Sequence, residues 1–336
     1  MKAIVYEKYG PPEVLQLKEI EKPTPRDNEV QIRVHAVKVN YGDIVTRNFK
    51  NIPSREFHMP LLFLFLTRVA FGLKRPKKQI LGSEFAGEIE TIGRDVKLFK
   101  KGDRVFGYTG QSMGAYAEYL CMPEDRTVTA KPENMTFEEA AAVPYGALMA
   151  MNLLKKVDIR SGDKVLINGA SGSIGSHAVQ LAKHYGAEVT GVCGTPRLQF
   201  VKSLGADKVI DYTKEDFIQS GETYDLIFDI LGKSSFSLCK NSLKKNGRYL
   251  LASFKMKHIL SMLKNKLGGY KKVICGLASD KQEDLAQIRE LVEEGVIKEI
   301  IDRCYPLEKT AEAHRYIEEG HRKGNVVITV NHNNKT

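Results

Sequence analysis

Tryptophan is absent from this 336-residue chain, and cysteine is scarce. The five cysteines, Cys121, Cys193, Cys239, Cys275 and Cys304, are odd in number and widely spaced, with no CxxC pair and no Cys/His cluster. That spacing argues against a disulfide framework and against a structural zinc lobe. Reduced thiols in a cytoplasmic protein are the expectation. Long apolar runs are also missing. The longest, residues 59–73, is interrupted by Arg68 and is shorter than the roughly 20 residues a membrane-spanning helix needs. No leader is expected, because Met1-Lys2-Ala3-Ile4-Val5-Tyr6 reads as a strand. Lys and Arg exceed Asp and Glu by ten. Such a surplus permits anionic ligands without indicating nucleic acid. What remains is a globular composition, 42% hydrophobic and 27% charged, with length enough for about two domains.

The chain changes character after Pro132. Up to about residue 127, short runs such as Glu29-Val30-Gln31-Ile32-Arg33-Val34-His35-Ala36 alternate with Gly, Pro and Asp punctuation, which predicts a small barrel-like β domain. Thr136-Phe137-Glu138-Glu139 is a capping box that opens a helix. Strands at Lys164-Val165-Leu166-Ile167, 188–192, 208–210, 225–229 and 247–251 then alternate with helical spacing at 176–185 and 197–204. This rhythm predicts a parallel sheet with helices on both faces. Val273-Ile274-Cys275-Gly276-Leu277 reads as its last strand, 283–293 as a further helix, and Tyr305 and 325–330 as strands returning to the first domain.

The strongest local signal is Asn168-Gly169-Ala170-Ser171-Gly172-Ser173-Ile174-Gly175, which follows a strand and opens a helix. Small residues there let the backbone approach a pyrophosphate, and the helix start offers it N–H groups. A ligand-free tight turn is the alternative. Where a second strand would carry Asp or Glu for the ribose of NAD, the chain has Cys193-Gly194-Thr195-Pro196-Arg197. A hydroxyl and a guanidinium suit a 2′-phosphate, so NADPH is favoured over NADH. Arg197 as a merely solvated first-turn residue is the other reading.

With these segments go Lys2-Ala3-Ile4-Val5, Val39-Asn40-Tyr41-Gly42-Asp43, Leu81-Gly82-Ser83-Glu84-Phe85-Ala86-Gly87, Gly102-Asp103-Arg104-Val105, Gly114-Ala115-Tyr116-Ala117-Glu118-Tyr119, Gly205-Ala206-Asp207 and Gly324-Asn325-Val326-Val327. In their order and spacing the chain resembles the medium-chain dehydrogenase/reductase superfamily, in its zinc-free quinone oxidoreductase branch, over nearly its whole length. The resemblance implies an α/β fold, with a GroES-like β-rich catalytic domain (1–127, completed by 279–336). It also implies a Rossmann domain with a doubly wound parallel sheet (128–278) that binds NADP, with the active site between the two. It implies Gly172, Ser173 and Ile174 on the pyrophosphate, and Thr195, Arg197 and Tyr212 at the 2′-phosphate. Asn40 falls near the nicotinamide ribose, Cys275 and Leu277 at the carboxamide, and His321, Arg322 and Lys323 in a loop over the cofactor. Zinc-dependent members hold their metal through a Cys at the position of Asn40 and a His at that of Ser83, so no metal is expected here.

Without a Lewis acid, hydride transfer to a conjugated acceptor is easier than to a simple ketone. An apolar quinone or α,β-unsaturated carbonyl is therefore the expected substrate. Asn40, Tyr41, Asp43, Tyr108 and Tyr145 fall in segments expected to line the cleft. A tyrosine hydroxyl could bond the substrate oxygen, while Asp43 reads either as a structural acceptor or as a proton donor. A zinc-free carbonyl or alcohol dehydrogenase is an alternative. So is a non-catalytic NADPH-binding protein with RNA or membrane contacts, although no RNA-binding module or aromatic–basic interleaving supports nucleic acid. The segment 50–79 is unusually apolar and ends in a basic run. A lid over a lipophilic pocket, a membrane-surface contact through 59–78, and a simple extra packed helix are its three readings. The apolar edge at 273–277 predicts a homodimer.

Overall fold

The strands build three sheets of two, six and seven strands. The structure, a computed structural model, describes residues 1–53, 57, 60–266, 271–320 and 322–332. An antiparallel pair, β1 (Lys2–Val5) and β2 (Gln16–Glu19), opens the chain. Next come β3 (Glu29–Lys38), α1 (Tyr41–Arg47), α2 (Leu61–Phe71), β4 (Glu84–Ile92), β5 (Arg104–Tyr108), β6 (Tyr119–Pro123) and β7 (Val128–Ala130). Helices α3 (Phe137–Ala142) and α4 (Pro144–Leu154) lead into β8 (Lys164–Asn168), α5 (Ser173–His184), β9 (Glu188–Cys193), α6 (Leu198–Ser203) and β10 (Lys208–Asp211). Then follow β11 (Tyr224–Asp229), α7 (Phe236–Cys239), β12 (Leu243–Leu251), α8 (Met256–Lys266) and β13 (Lys272–Cys275). The last elements are α9 (Gln282–Glu293), β14 (Ile301–Pro306), α10 (Thr310–Glu318) and β15 (Asn325–Thr329).

The first sheet runs β14-β15-β3-β4-β5-β7, with β6 also on β3. The carboxyl-terminal strands therefore do return to it, β15 pairing antiparallel with β3. The second sheet runs β10-β9-β8-β11-β12-β13, parallel throughout. Counted from β8 this is the doubly wound order 3-2-1-4-5-6, whose direction reverses between β8 and β11. Successive side chains of a strand point to opposite faces. Val165, Ile167, Leu226 and Phe228 enter one core, whereas Leu166, Ile227, Tyr249 and Val273 enter another. Burial on both faces explains why these strands read as unbroken apolar runs.

The expected helix start at Thr136 is present: its side chain accepts from Glu139 N at 3.2 Å, and Glu139 answers at Thr136 N, 2.9 Å. One core joins the two sheets, since Ala36, Ala86 and Phe106 of the first cluster with Val165 and Ile167 of the second. Inside the β-rich part the structure adds α1, and the apolar segment within 50–79 forms the helix α2. The last strand of the parallel sheet ends at Cys275, earlier than the apolar run implied, and Gly276 N closes onto Leu251 O at 3.1 Å.

Candidate active site

The glycine turn leaves β8 at the point where the sheet order reverses. Gly169 has φ +95°, open to glycine at little strain. No side chain caps Gly172 at the start of α5. The first intrahelical bond is Ser176 N to Gly172 O, 2.9 Å, so the N–H groups of Ser173, Ile174 and Gly175 have no intrahelical acceptor. Donors at a helix amino end favour a pyrophosphate. Across the crevice, at the end of β11, the buried Asp229 carboxylate accepts from Asn168 Nδ2, Gly232 N, Ser234 N and Tyr249 Oη at 3.0–3.2 Å. Those bonds fix the loop that faces the turn.

At the end of β9 two guanidiniums gather. Arg197 donates from Nε to Arg322 O at 3.2 Å and from Nη2 to Gly320 O at 2.7 Å. Arg322 is held below the usual arginine range by burial and then by Arg197 beside it. Such a pair is relieved by a bound anion. Thr195 lies on the same turn, but its hydroxyl donates to Asp211 Oδ2 at 2.5 Å. Tyr212 is 64% exposed, and its ring stands beside Gly194. Lys323 is exposed and meets Asp302 only through its backbone N–H, 2.9 Å. His321 lies outside the described residues. Cys275 is half-buried, its thiol pushed up to about 11 by burial, and Leu277 is 73% exposed.

Opposite the start of α5, the first sheet carries a buried ion pair. Lys38 and Glu84 are register partners on β3 and β4, with Nζ and Oε1 3.5 Å apart and both side chains buried. Glu84 also accepts from Asn40 Nδ2 at 2.7 Å and from Tyr145 N at 2.9 Å. Lys38 donates to Ser173 Oγ at 2.6 Å, on the helix after the glycine turn, and to Ala142 O at 2.7 Å, at the end of α3. Burial lifts the Glu84 carboxyl above its ordinary value, and Lys38 pulls it back. α4 sits tightly on α5: a Cβ on Gly146 would lie 2.5 Å from Ser173 O. Asn40, Tyr145 and Ser173 are thus brought together around one Lys–Glu pair. Tyr108 packs against Tyr145, ring centroids 5.6 Å apart. Burial, then the Glu84 charge, pushes the Tyr145 hydroxyl up to about 12, so it remains an O–H donor at neutral pH.

Asp43 belongs to the scaffold. It is 1% exposed and closes a capping box on α1, accepting from Asn40 N at 2.9 Å. It also accepts from Gly82 N at 3.2 Å and from Tyr116 Oη at 3.1 Å. Tyr41, next to the cap, is 67% exposed. Behind Asp43 runs a buried relay. Arg47 Nη1 stands 3.0 Å from His314 Nδ1, and His314 Nε2 stands 3.1 Å from Tyr116 Oη. Since guanidinium only donates, Nδ1 accepts and Nε2–H donates to the tyrosine, whose proton serves Asp43.

Burial pushes Asp43 up to about 7, while burial and then Arg47 push His314 down to about 3. The two have opposite linkage. A raised carboxyl contributes stability below its unfolded pKa that is lost as pH rises through the folded value. A depressed imidazole costs stability as pH falls below its unfolded value. Between about pH 4.5 and 6 the two slopes cancel, each worth about 1.4 kcal/mol per pH unit. A His314→Gln variant is expected to keep only the Asp43 slope. Relative to the parent, its unfolding free energy should then fall by about 1 kcal/mol per pH unit from pH 4.5 to 6. Urea midpoints at three pH values check this, and a parallel pair of profiles would refute the relay.

Sequence reading missed Lys38, Glu84 and the Arg47–His314–Tyr116 relay. Lys38 did leave a trace: it interrupts an apolar strand between Val37 and Val39 at a position that is 2% exposed. The Asn40/Asp43 spacing reads as chemistry, yet it is also a helix cap.

A doubly wound parallel sheet with a phosphate-ready turn at its switch point, packed against a β-rich sheet, defines the class of dinucleotide-binding α/β proteins. Comparison with known proteins makes the class particular. Residues 26–133 match the family model for the alcohol dehydrogenase GroES-like domain, and 204–328 match that for zinc-binding dehydrogenases. The chain is 33% identical to the chloroplastic quinone oxidoreductase QR1 of Triphysaria versicolor over 98% of each. It is 30% identical to the 2-methylene-furan-3-one reductase of Solanum lycopersicum, over 98% of this chain and 79% of that one. The solved quinone oxidoreductase of Coxiella burnetii superposes with a TM-score of 0.83 at 30% identity, covering 98% of this chain and 99% of its own. The chain belongs to the medium-chain dehydrogenase/reductase superfamily, in its zinc-free quinone oxidoreductase-like branch. It is an oxidoreductase that uses a nicotinamide dinucleotide.

Proposed function

We propose that this protein is an NADPH-dependent reductase of quinones or α,β-unsaturated carbonyls that works without zinc. One observation carries the reading. At the cleft, the positions that hold metal in zinc-dependent relatives carry Asn40 and Ser83, and the neighbouring Glu84 carboxylate is taken up by Lys38, Asn40 and Tyr145 N. An amide nitrogen that already donates and a carboxylate that already accepts make a poor ligand set for zinc. The bound dinucleotide supplies the hydride. The chain's own part is to hold the pyrophosphate on the N–H groups of 173–175, to seat Asn40 and Tyr145 through Glu84, and to present the Tyr108 and Tyr145 hydroxyls to oxygen where charge develops. Conjugation spreads that charge, which is why such acceptors need no metal. The names of the Triphysaria and tomato relatives support both substrate classes.

The Arg197–Arg322 pair supports the phosphorylated cofactor. We read 1–127 with 279–336 as the catalytic unit and 128–278 as the cofactor unit. The open edge of the parallel sheet at β13 supports a homodimer, as do Met256, Leu260 and Leu263, each at least 50% exposed on the adjacent α8.

The test is oxidation of NADPH and NADH against a panel of quinones, enones and saturated aldehydes, after metal analysis. Enones or quinones should turn over in metal-free protein, and aldehydes should not. Turnover that vanishes with chelation would overturn the reading, as would tight NADPH binding with no turnover. An Arg197→Ala variant is expected to raise the KM for NADPH by roughly 10–100-fold, the size of a lost charged hydrogen bond, and to leave that for NADH within about threefold. Equal loss for both cofactors would mean that Arg197 only anchors the Gly320 and Arg322 carbonyls.

A further inference from the structure

The outward face of α2 is as apolar as its inward one. Leu64 and Phe71 point in, with Phe49 and Phe57, and the Phe49 ring lies 5.2 Å from that of Phe57 and 6.2 Å from that of Phe71. Arg68 also turns toward the body, over the Phe49 ring at 5.8 Å. The Tyr9 hydroxyl donates to Phe71 O at 3.0 Å and to Gly72 O at 2.7 Å, which fixes the helix end. The other side carries Leu62, Phe63, Phe65, Leu66 and Val69, each 40–67% exposed, followed by Leu73 at 59%. Residues 62, 65, 66 and 69 follow the i, i+3, i+4, i+7 spacing of a single helix face. Their orientation is set by the anchored inner face, so this is an apolar stripe held outward rather than a helix in search of a core.

A basic turn follows at once. Lys74, Arg75, Lys77 and Lys78 are all exposed, and from 57 to 83 the sequence has no Asp or Glu. Glu7, the acid whose carboxyl feels Arg75, is paired with Lys18 at 2.6 Å. Lys77 caps the helix by donating to Val69 O at 3.0 Å. Among the described residues, no carboxylate pairs with Lys74 or Lys78. A second copy docked through the same face would bring only this segment's own residues and so no anion for these cations. An acyl layer under a sheet of anionic headgroups answers both features together. No described helix is long and apolar enough to cross a membrane, and α2 has eleven residues.

We propose that α2 and the basic turn after it form a docking surface for an anionic phospholipid bilayer, with the helix lying flat in the headgroup layer. The inference goes beyond the catalytic reading and does not depend on it.

The test uses the full chain and sucrose-loaded vesicles. The protein is expected to sediment with phosphatidylcholine vesicles containing about 30% phosphatidylserine, and at least tenfold less with phosphatidylcholine alone. Binding should fall steeply from about 0.05 to 0.5 M salt. Lys74→Gln with Lys78→Gln should weaken partitioning by roughly 25-fold, about fivefold for each cation, and Leu62→Ser with Leu66→Ser should abolish it. Amide exchange in the parent should slow over 61–78 when vesicles are added, a readout that needs no variant. Absence of sedimentation, equal binding to both lipid mixtures, or unchanged binding by both double variants would each overturn the proposal. So would a Leu62/Leu66 effect on oligomeric state with no lipid binding, which would instead assign the face to a second copy.

Discussion

Replacing Lys38 by methionine is expected to destabilise this protein by roughly 3–5 kcal/mol, because the substitution leaves the Glu84 charge buried without its cation. Methionine matches the length of the lysine stem, so packing is nearly kept and the loss is electrostatic. Asn40 Nδ2 and Tyr145 N would still donate to the carboxylate, but neither carries a charge. The same change cuts the bonds from Lys38 to Ser173 Oγ, which ties the first sheet to the glycine-turn helix, and to Ala142 O, which ties it to α3. The cofactor KM should therefore rise together with the loss of stability. A double-mutant cycle isolates the pair. Glu84→Gln alone leaves the ammonium buried, and the combined variant should lose at least about 1 kcal/mol less than the two single losses together. Denaturant midpoints measure all four proteins. A Lys38→Met midpoint within about 1 kcal/mol of the parent would mean that Glu84 is neutral in the fold and that the pair is not ionic.

Gly172→Ala and Gly175→Ala are expected to fail differently, though they stand three residues apart in one turn. A Cβ on Gly175 would lie 2.2 Å from Gly169 O and 2.7 Å from Ala170 Cα, backbone atoms that cannot swing aside. The turn must open, at about 1–3 kcal/mol of stability, and the donors of 173–175 move with it. NADPH affinity should fall by at least about 100-fold, a loss of roughly 2.7 kcal/mol in binding. A Cβ on Gly172 meets only Gly169 O, at 3.4 Å, and the residue's φ of −80° suits any side chain. Gly172→Ala should therefore fold normally and lose affinity only through the methyl that intrudes where the pyrophosphate approaches. Fluorescence titration with NADPH beside thermal unfolding separates the two. Normal NADPH binding by Gly175→Ala would remove the turn from the cofactor site.

Much of this molecule was written locally. The glycine turn was legible because turn, strand and helix signals fall within one short stretch, and the parallel sheet because strands buried on both faces must be apolar throughout. The missing acid after β9 was equally plain, since it is one position at one strand end. The relay from Arg47 through His314 to Asp43 was not legible. Its members come from α1, α10 and the Tyr116 loop, and no spacing rule links residues 267 positions apart. For the same reason Asp43 read either as a structural acceptor or as a proton donor, and its oxygens are taken by the helix cap, Gly82 and Tyr116. Thr195 read as a phosphate ligand from its place on the turn, yet Asp211 on the next strand takes its proton.

Sequence alone settled the strands of the parallel sheet, the glycine turn and the helix start at Thr136, because hydrogen bonding and apolar periodicity act over a few residues. The fold alone decided which polar groups face one another. Charges such as Lys38 and Glu84 lose their water only when two strands and two helices close around them, and their partners are set by that closure.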